Sequence, residues 1–327
     1  MNVFGFYCPE VPAFIEEFAN TPAMQRLKDV GMNCGCEYTN FPLYRRIQPH
    51  SRYTHSIGTG LITWHFSHDV RASVAALLHD IATPAFSHTV DFLNGDYIRQ
   101  ESTEERTEAV IRNSAEICAL LRMYGLGIDD VSDYHRYPIA DNDSPRLSAD
   151  RLEYSLSNMV NYGICSEERA RSYYDDLFAA ENEEGKPELT FKTAELAEEF
   201  AFNAVKCSRI YVAPEDRYSM QSLSEILSDA IACGIITRGD LYEDEQTVIS
   251  LMRKNPDIWA RWEHFRKLSS MVPAENNLQG LRVIDAKRRF IDPLAFGRGR
   301  VRAWSPAYKA ELEDFLTTDF LQPISAI

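Results

Sequence analysis

Histidine and aspartate residues cluster in one short stretch of the sequence. Six of the eight histidines fall between positions 50 and 88, and His79-Asp80 directly follows the apolar run of residues 74–78. We expect this pair on a buried helix, where an ionised carboxylate is unfavourable unless a positive charge lies close by. A divalent metal ion would supply that charge. An ordinary His–Asp hydrogen bond near a helix end is the simpler alternative.

Two more segments carry residues of the same chemistry. His55 lies just before a helical run, and Asp150 opens an amphipathic segment. Together with His79 and Asp80 they provide two imidazoles and two carboxylates, a set suited to a borderline or hard divalent ion. It leaves coordination positions for water and a phosphate oxygen, as a catalytic site requires. The sequence therefore predicts one metal ion, and iron, manganese, zinc, nickel and magnesium all fit these ligand types.

Three residues are candidates for proton transfer. His88 and Asp91 are spaced to share one helical face. His88 would then act as acid, base or phosphate donor, with Asp91 orienting its ring. Glu104 is a candidate second acid or base. The alternatives are a histidine satisfied in the core and a solvated glutamate in the first turn of a helix.

Three further side chains are candidates for binding the substrate. Arg52, three residues before His55, could hold a phosphate with its planar guanidinium group. Arg151 and Tyr154 follow Asp150 closely enough to reach the same pocket. The alternative for each is a surface ion pair or a packing role.

One basic patch lies near the C-terminus. It could form a subunit interface, a regulatory anion site or a solvated strand face, and the sequence leaves all three open. Its members are Lys287, Arg288, Arg289, Arg298, Arg300 and Arg302.

These residues resemble the motifs of a known family. His55, His79-Asp80 and Asp150 look like the H…HD…D signature of the HD-domain phosphohydrolases. The resemblance is closest to their deoxynucleoside-triphosphate triphosphohydrolase branch and runs in order from about residue 20 to 305. It is carried by TPAMQRLKDVG (21–31), SRYTHSIGTG (51–60), HDIATPAFSH (79–88), DRLEY (150–154) and RRFIDP (288–293).

The resemblance implies a metal-dependent phosphohydrolase built on an HD-domain helical core, with a small nucleotide or related phosphoester as substrate. It also makes a homo-oligomer plausible. Two positions depart from the branch, because Thr83 and Thr103 stand where its members carry histidines. Three functions therefore stay open: triphosphohydrolase, nucleotide monophosphatase or phosphodiesterase, and a nucleotide sensor without turnover.

The composition is that of an ordinary globular protein. Of the 327 residues, 45% are hydrophobic and 25% are charged, and the formal net charge is −15. A strongly acidic chain repels nucleic-acid backbones, so nucleic acid is an unlikely partner on this ground. No apolar run has membrane-spanning length, and the N-terminus does not resemble a signal peptide. Seven scattered cysteines without a CxxC pair fit a cytoplasmic protein with buried thiols.

Apolar periodicity predicts a mostly α fold with a small β element near the C-terminus. We expect an HD-domain metal-binding core at residues 1–180, and a helical lobe with short strands at 181–327 that packs on it as one unit. A short strand is expected at 188–192 and a strand pair within 281–304, around Gly297 and Gly299. Helical patterns cover 12–30, 61–78 (broken near His68-Asp69), 101–123, 149–162, 167–180, 194–210, 219–233, 243–254 and 307–320.

Overall fold

The computed structural model describes residues 3–99, 106–273 and 278–327. Helices dominate this part of the chain, which confirms the predicted mostly α fold. The first ten are α1 Val3–Tyr7, α2 Ala13–Ala19, α3 Pro22–Arg26, α4 Arg52–Ser67, α5 Val70–Leu78, α6 Thr89–Leu93, α7 Thr107–Asn113, α8 Ala115–Met123, α9 Ala149–Asn161 and α10 Glu167–Asp175. They are followed by α11 Ala194–Tyr211, α12 Pro214–Ala232, α13 Glu245–Met252, α14 Pro256–Phe265, α15 Val301–Trp304 and α16 Pro306–Thr317.

The break between α4 and α5 lies where the sequence predicts it. His68 ends α4 in the left-handed region, at φ 50°, and its backbone N–H donates to Trp64 O. Asp69 then caps α5, because its Oδ1 accepts a hydrogen bond from the backbone N–H of Arg71 at 2.8 Å. The two helices pack face to face, and a Cβ at Gly60 would lie 3.1 Å from Leu77 Cβ.

Two small sheets complete the fold. The larger has the strand order β1-β2-β4-β5 and the smaller pairs β3 with β6. β2 runs antiparallel to β1 and parallel to β4, and β4 runs antiparallel to β5. The strands are β1 Leu177–Glu181, β2 Pro187–Phe191, β3 Met271–Val272, β4 Leu294–Ala295, β5 Gly299–Arg300 and β6 Ser325–Ala326.

Several predicted helices have other bounds in the structure: α4 begins at Arg52 and α12 at Pro214, both earlier than predicted, and the pattern over 12–30 forms α2 and α3. The helix predicted over 167–180 stops at Asp175, because residues from Leu177 onward pair with β2 in the register Leu177↔Phe191. The pattern over 101–123 forms two helices separated at Ser114, whose Oγ accepts from the backbone N–H of Ile117 and caps α8. Residues 101–105 of that pattern lie outside the described part of the chain.

The core consists of two hydrophobic clusters that both combine early and late segments of the chain. The first joins Ile57 and Leu61 of α4 to Phe200 of α11 and Phe315 of α16. The second joins residues near Phe86 to buried side chains of α12 to α14. Burying one such side chain contributes about 1.5–3 kcal/mol. This packing fixes α4 between α5 and α9.

No helix among the described residues is both long enough and apolar enough to span a bilayer. The cytoplasmic location and the homo-oligomer stay predictions from the sequence.

Candidate metal centre

The four predicted metal ligands come from the ends of three helices. His55 lies in the first turn of α4, and Asp150 lies in the first turn of α9. His79 is the C-cap residue directly after α5, and Asp80 lies in the turn that follows. The expectation that His79-Asp80 sits within a helix was therefore wrong by one residue, because α5 ends at Leu78. All four meet because α4 contacts both α5 and α9.

The ligand atoms converge in one place. His55 Nε2 lies 2.9 Å from Asp150 Oδ1 and 3.8 Å from Asp80 Oδ2. His79 Nε2 lies 3.6 Å and 3.5 Å from the same two oxygens. Donor atoms of His55, His79 and Asp80 all lie within 4.8 Å of one another. Two donors that each sit about 2.1 Å from one ion are about 3–4 Å apart, so this spacing suits a metal ion.

A hydrogen-bond partner at Nδ1 fixes the ring orientation of both histidines. His55 Nδ1 lies 2.5 Å from Glu153 Oε2, and His79 Nδ1 lies 2.6 Å from the carbonyl oxygen of Ala76. Because both partners accept hydrogen bonds, each Nδ1 carries a proton and each Nε2 faces the pocket, where it can bind a metal ion once it carries no proton itself. This is the tautomer that a metal-binding histidine needs.

Glu153 is a functional candidate that sequence reasoning missed. Its side chain is fully buried, Ser157 Oγ donates to its Oε1 at 2.7 Å, and His50 Nε2 lies 3.6 Å from its Oε2. Burial alone would raise the pKa of Glu153, but His50 and His55 lower it well below its usual range. The available signal was its position three residues after Asp150, on the same side of α9.

Charges around the site keep its carboxylates ionised. Burial opposes ionisation of Asp80, but Arg52, His79 and His55 hold the pKa of that carboxyl well below its usual range. Burial would lower the pKa of His55, but hydrogen bonds to Asp150 and Glu153 raise it to about 10. Metal binding must therefore displace a proton from His55.

Both oxygens of Asp80 also bond to neighbouring side chains. Arg52 Nη1 donates to Asp80 Oδ2 at 2.9 Å, and its Nε donates to Ser87 Oγ at 3.1 Å. Thr83 Oγ1 donates to Asp80 Oδ1 at 2.7 Å. Arg52 thus orients a predicted ligand, and a direct phosphate contact by Arg52 stays a prediction.

His88 and Asp91 make the predicted contact. His88 Nδ1 lies 2.9 Å from Asp91 Oδ2, and Asp91 is fully buried. On its other side, His88 Nε2 lies 3.5 Å from Nη2 of Arg289. Burial together with the charges of Arg289 and Arg52 outweighs Asp91 and lowers the pKa of His88 to about 4. Glu104 lies outside the described residues.

Arg151 and Tyr154 lie along the same cavity but have different surroundings. Arg151 Nη1 donates to Asp141 Oδ1 at 2.7 Å and its Nε donates to the carbonyl oxygen of Arg146 at 2.8 Å. It therefore ties the loop at 141–146 to α9. The Tyr154 ring lies 6.5 Å from the His55 ring, centroid to centroid. Their contact with substrate stays a prediction.

One cavity of about 900 Å³ contains the candidate centre. Its wall includes the four predicted ligands and His88, and several tyrosines, among them Tyr134, Tyr162 and Tyr211. Pockets for small molecules occupy about 300–1,000 Å³ and combine apolar surface with a few polar groups. The space is sufficient for a nucleotide-sized molecule.

The predicted basic patch does not form one surface. Residues 287–289 line the cavity, although they are distant from His55 in sequence. Arg300 instead forms an ion pair with buried Glu188, and Arg302 lies near Asp292. Arg298 is exposed and lies over the ring of Trp304. Only the first part of the patch therefore reaches the site.

Comparison with known proteins gives two sequence relatives. No family model matches the chain. The chain is 28% identical over 294 residues to the uncharacterized protein YdhJ of Bacillus subtilis, covering 88% of this chain and 85% of YdhJ. It is 28% identical over 129 residues to the metal-dependent phosphohydrolase cns2 of Cordyceps militaris, covering 39% of this chain and 37% of cns2.

Two solved structures share the fold. A hypothetical protein from Aquifex aeolicus matches with a TM-score of 0.63 and 18% identity, covering 92% of this chain and 90% of that one. A phosphohydrolase from Bacteroides thetaiotaomicron matches with a TM-score of 0.62 and 12% identity, covering 97% and 96%. The chain therefore shares its fold with a protein described as a phosphohydrolase, and part of its sequence is similar to that of a metal-dependent phosphohydrolase.

Proposed function

We propose that this chain is a metal-dependent hydrolase of phosphoesters or phosphoanhydrides, acting on a nucleotide or a molecule of similar size. One observation carries the proposal. The Nε2 atoms of His55 and His79 each lie within 3.8 Å of carboxylate oxygens of both Asp80 and Asp150, at the wall of a cavity large enough for such a substrate. The partial similarity to a metal-dependent phosphohydrolase supports the same reaction class.

The residues present fit a divalent ion. His55, His79, Asp80 and Asp150 would hold it, and the hydrogen-bonded Nδ1 atoms leave both Nε2 atoms available. A bound divalent ion supplies Lewis acidity and lowers the pKa of water toward neutrality. The mixed nitrogen and oxygen donors are compatible with iron, manganese, zinc, nickel or magnesium.

Side chains around the site orient the carboxylate of Asp80 and provide a group for proton transfer. Arg52 and Thr83 fix the two oxygens of Asp80, so that this carboxylate keeps one orientation. His88 is the side chain best placed to hold or give a proton at Nε2, because Asp91 fixes its Nδ1. These groups bind, orient and exchange protons, which is what phosphoryl hydrolysis requires of the protein.

Thr83 favours a monophosphatase or phosphodiesterase over a triphosphohydrolase. The triphosphohydrolase-like motif has an imidazole at this position, whereas the Thr83 hydroxyl is bonded to Asp80. It therefore offers no cationic or imidazole contact for additional phosphates. A nucleotide sensor without turnover is the third candidate. The four candidate ligands lie close together, which disfavours it, because a binding module does not need two imidazoles and two carboxylates at one place.

A substrate screen separates the three candidates. The purified protein is loaded with Mn²⁺, Fe²⁺ or Ni²⁺ and offered dNTPs, NTPs, nucleoside monophosphates and a generic phosphodiester. Orthophosphate from monophosphates, or cleavage of the diester, is the result we expect. Tripolyphosphate release would instead identify a triphosphohydrolase. Saturable nucleotide binding without turnover would overturn the hydrolase proposal in favour of a sensor.

A further inference from the structure

The cavity contains an arginine, Arg289, that forms no ion pair with a carboxylate of the described residues. Arg289 is half-buried, and its guanidinium contacts His88 Nε2 at 3.5 Å. A partly buried cation without a counterion is costly, and a bound anion would relieve that cost.

The neighbouring basic residues have other roles. Arg288 donates through Nη2 to the carbonyl oxygen of Thr318 at 2.8 Å and lies over the ring of Phe320. Lys287 Nζ donates to the carbonyl oxygen of Arg99. Arg289 is thus the member of this stretch whose guanidinium faces the reactive histidine.

Asp216 is an acidic residue of the same cavity whose charge interacts with that of Arg289. Burial raises the pKa of the Asp216 carboxyl to about 7, and Tyr44 donates to its Oδ2 at 2.8 Å. In the part of the chain that the structure describes, the hydrogen bonds that the Asp216 carboxyl accepts come from Tyr44 and Cys36, and none comes from Arg289.

We propose that Arg289 and His88 together form the binding site for an anionic oxygen of the substrate phosphate, and that binding there converts His88 from a hydrogen-bond acceptor to a donor. The inference rests on the proposed function, because it places the phosphate in the cavity of the candidate metal centre. Arg52 connects the candidate metal centre with the proposed phosphate site, since it donates a hydrogen bond to Asp80 and its charge lowers the pKa of His88.

The conversion follows from the contacts of His88. Asp91 accepts a hydrogen bond from Nδ1, so Nε2 turns its lone pair toward the N–H of Arg289. A phosphate oxygen between the two would accept from Arg289. It would also accept from Nε2 once His88 has taken one proton from solvent.

The charged and titratable groups around His88 determine whether phosphate binding raises or lowers its pKa. They are Asp91 on its own helix, Arg289 from the C-terminal segment, Arg52 of α4, and Cys34, whose thiol lies near the His88 backbone. Burial and the two arginines lower the pKa of His88 to about 4, so the ring is neutral at physiological pH. A phosphate dianion cancels the effect of Arg289 and raises that pKa. Phosphate binding is therefore accompanied by proton uptake and strengthens as the pH falls.

Isothermal titration of inorganic phosphate into the metal-loaded protein tests the inference. Running it in two buffers of different ionisation enthalpy measures the protons taken up. We expect Arg289→Gln to weaken phosphate binding by about tenfold or more. Arg289→Lys should retain part of the affinity as a point charge. Arg298→Gln is the matched control, because Arg298 is exposed on Trp304, and it should bind phosphate like the wild type.

Proton uptake gives the second readout. The wild type should take up protons near pH 7, and His88→Asn should bind phosphate with little uptake. Unchanged affinity in both Arg289 variants, or unchanged uptake in His88→Asn, would overturn the inference. Thermal unfolding of each variant shows whether it is folded. If Arg289→Gln is not, the phosphate affinity of Arg289→Lys is compared with that of the wild type instead.

The two proposals fail in different ways. If Arg289 variants lose phosphate affinity but the wild type hydrolyses no phosphoester, the hydrolase proposal fails and the anion site stands. If the wild type hydrolyses phosphoesters and Arg289→Gln does so with unchanged KM and kcat, the anion site fails and the hydrolase proposal stands.

Discussion

At the scale of single residues, Glu153 holds a predicted metal ligand in place, because its Oε2 lies 2.5 Å from His55 Nδ1. His55, His79, Asp80 and Asp150 were recognisable because their chemistry and motif spacing are visible in the sequence. Glu153 was not, since a glutamate in an amphipathic helix normally faces solvent. Its burial follows from the packing of α9 on α4 at Gly58, where an added Cβ would lie 2.5 Å from Glu153 Cγ.

Glu153→Gln should weaken metal binding by about 10- to 100-fold, because the negative charge behind His55 disappears while the shape of the side chain stays the same. Competition with a chromogenic chelator measures the affinity. Ser157→Ala is the matched control, since it removes one hydrogen bond to Glu153 and keeps the carboxylate on His55. Equal affinities for Glu153→Gln and the wild type would show that Glu153 does not act through His55.

At the scale of elements, apolar periodicity predicted the helices whose own sequence presents an apolar face to the core. The break at His68-Asp69 was predicted because a capping aspartate lies between two apolar runs. β1 was not, since its strand state depends on pairing with β2, and no local pattern shows it. The end of α5 at Leu78 agrees with the predicted helical pattern over 61–78, whereas the expectation that His79-Asp80 lies on the helix was wrong.

The turn after α5 depends on a side chain from α3. Arg26 Nη2 donates to the carbonyl oxygens of Ile81 at 3.0 Å and Thr83 at 2.8 Å. These bonds hold the segment that carries Asp80. The arginine lies in the segment TPAMQRLKDVG (21–31), so the turn gives a physical reason for its presence there.

Arg26→Met should destabilise the protein by about 1–3 kcal/mol, because two backbone carbonyl groups lose their partner. Urea unfolding measures the change, and metal content should fall in parallel if the turn positions Asp80. Lys28→Met is the control, since Lys28 lies over the Tyr53 ring and contributes no bond to this turn. A stability loss in Lys28→Met as large as that in Arg26→Met would argue against this role of the turn.

At the scale of the whole molecule, the sequence predicted two regions that pack as one unit, at residues 1–180 and 181–327. Both hydrophobic clusters contain side chains from each region. The cavity also combines the four candidate ligands from the first region with Arg289 from the second. The sequence did not place Arg289 at this cavity, because it left open whether the basic patch is a subunit interface, a regulatory anion site or a solvated strand face. We propose that the chain folds as a single cooperative unit.

A fragment of residues 1–180 should therefore fail to fold by itself. Its α4 would lack the partners Phe200 and Phe315 in the first cluster, and each buried aromatic side chain lost costs about 3–5 kcal/mol. Circular dichroism during thermal unfolding checks this, and no cooperative transition is expected. A fragment that unfolds cooperatively and binds one metal ion would show that residues 1–180 form an independent domain.

Metal occupancy of the Asp80→Ala variant tests the central claim most directly. Wild type and variant are loaded with the same divalent ion, desalted and measured by elemental analysis, with the exposed Asp129→Ala variant as control. The wild type and the control should retain about one ion per chain, because two imidazoles and two carboxylates complete the site. Asp80→Ala should retain almost none. Full occupancy in Asp80→Ala would contradict the assignment of the metal centre.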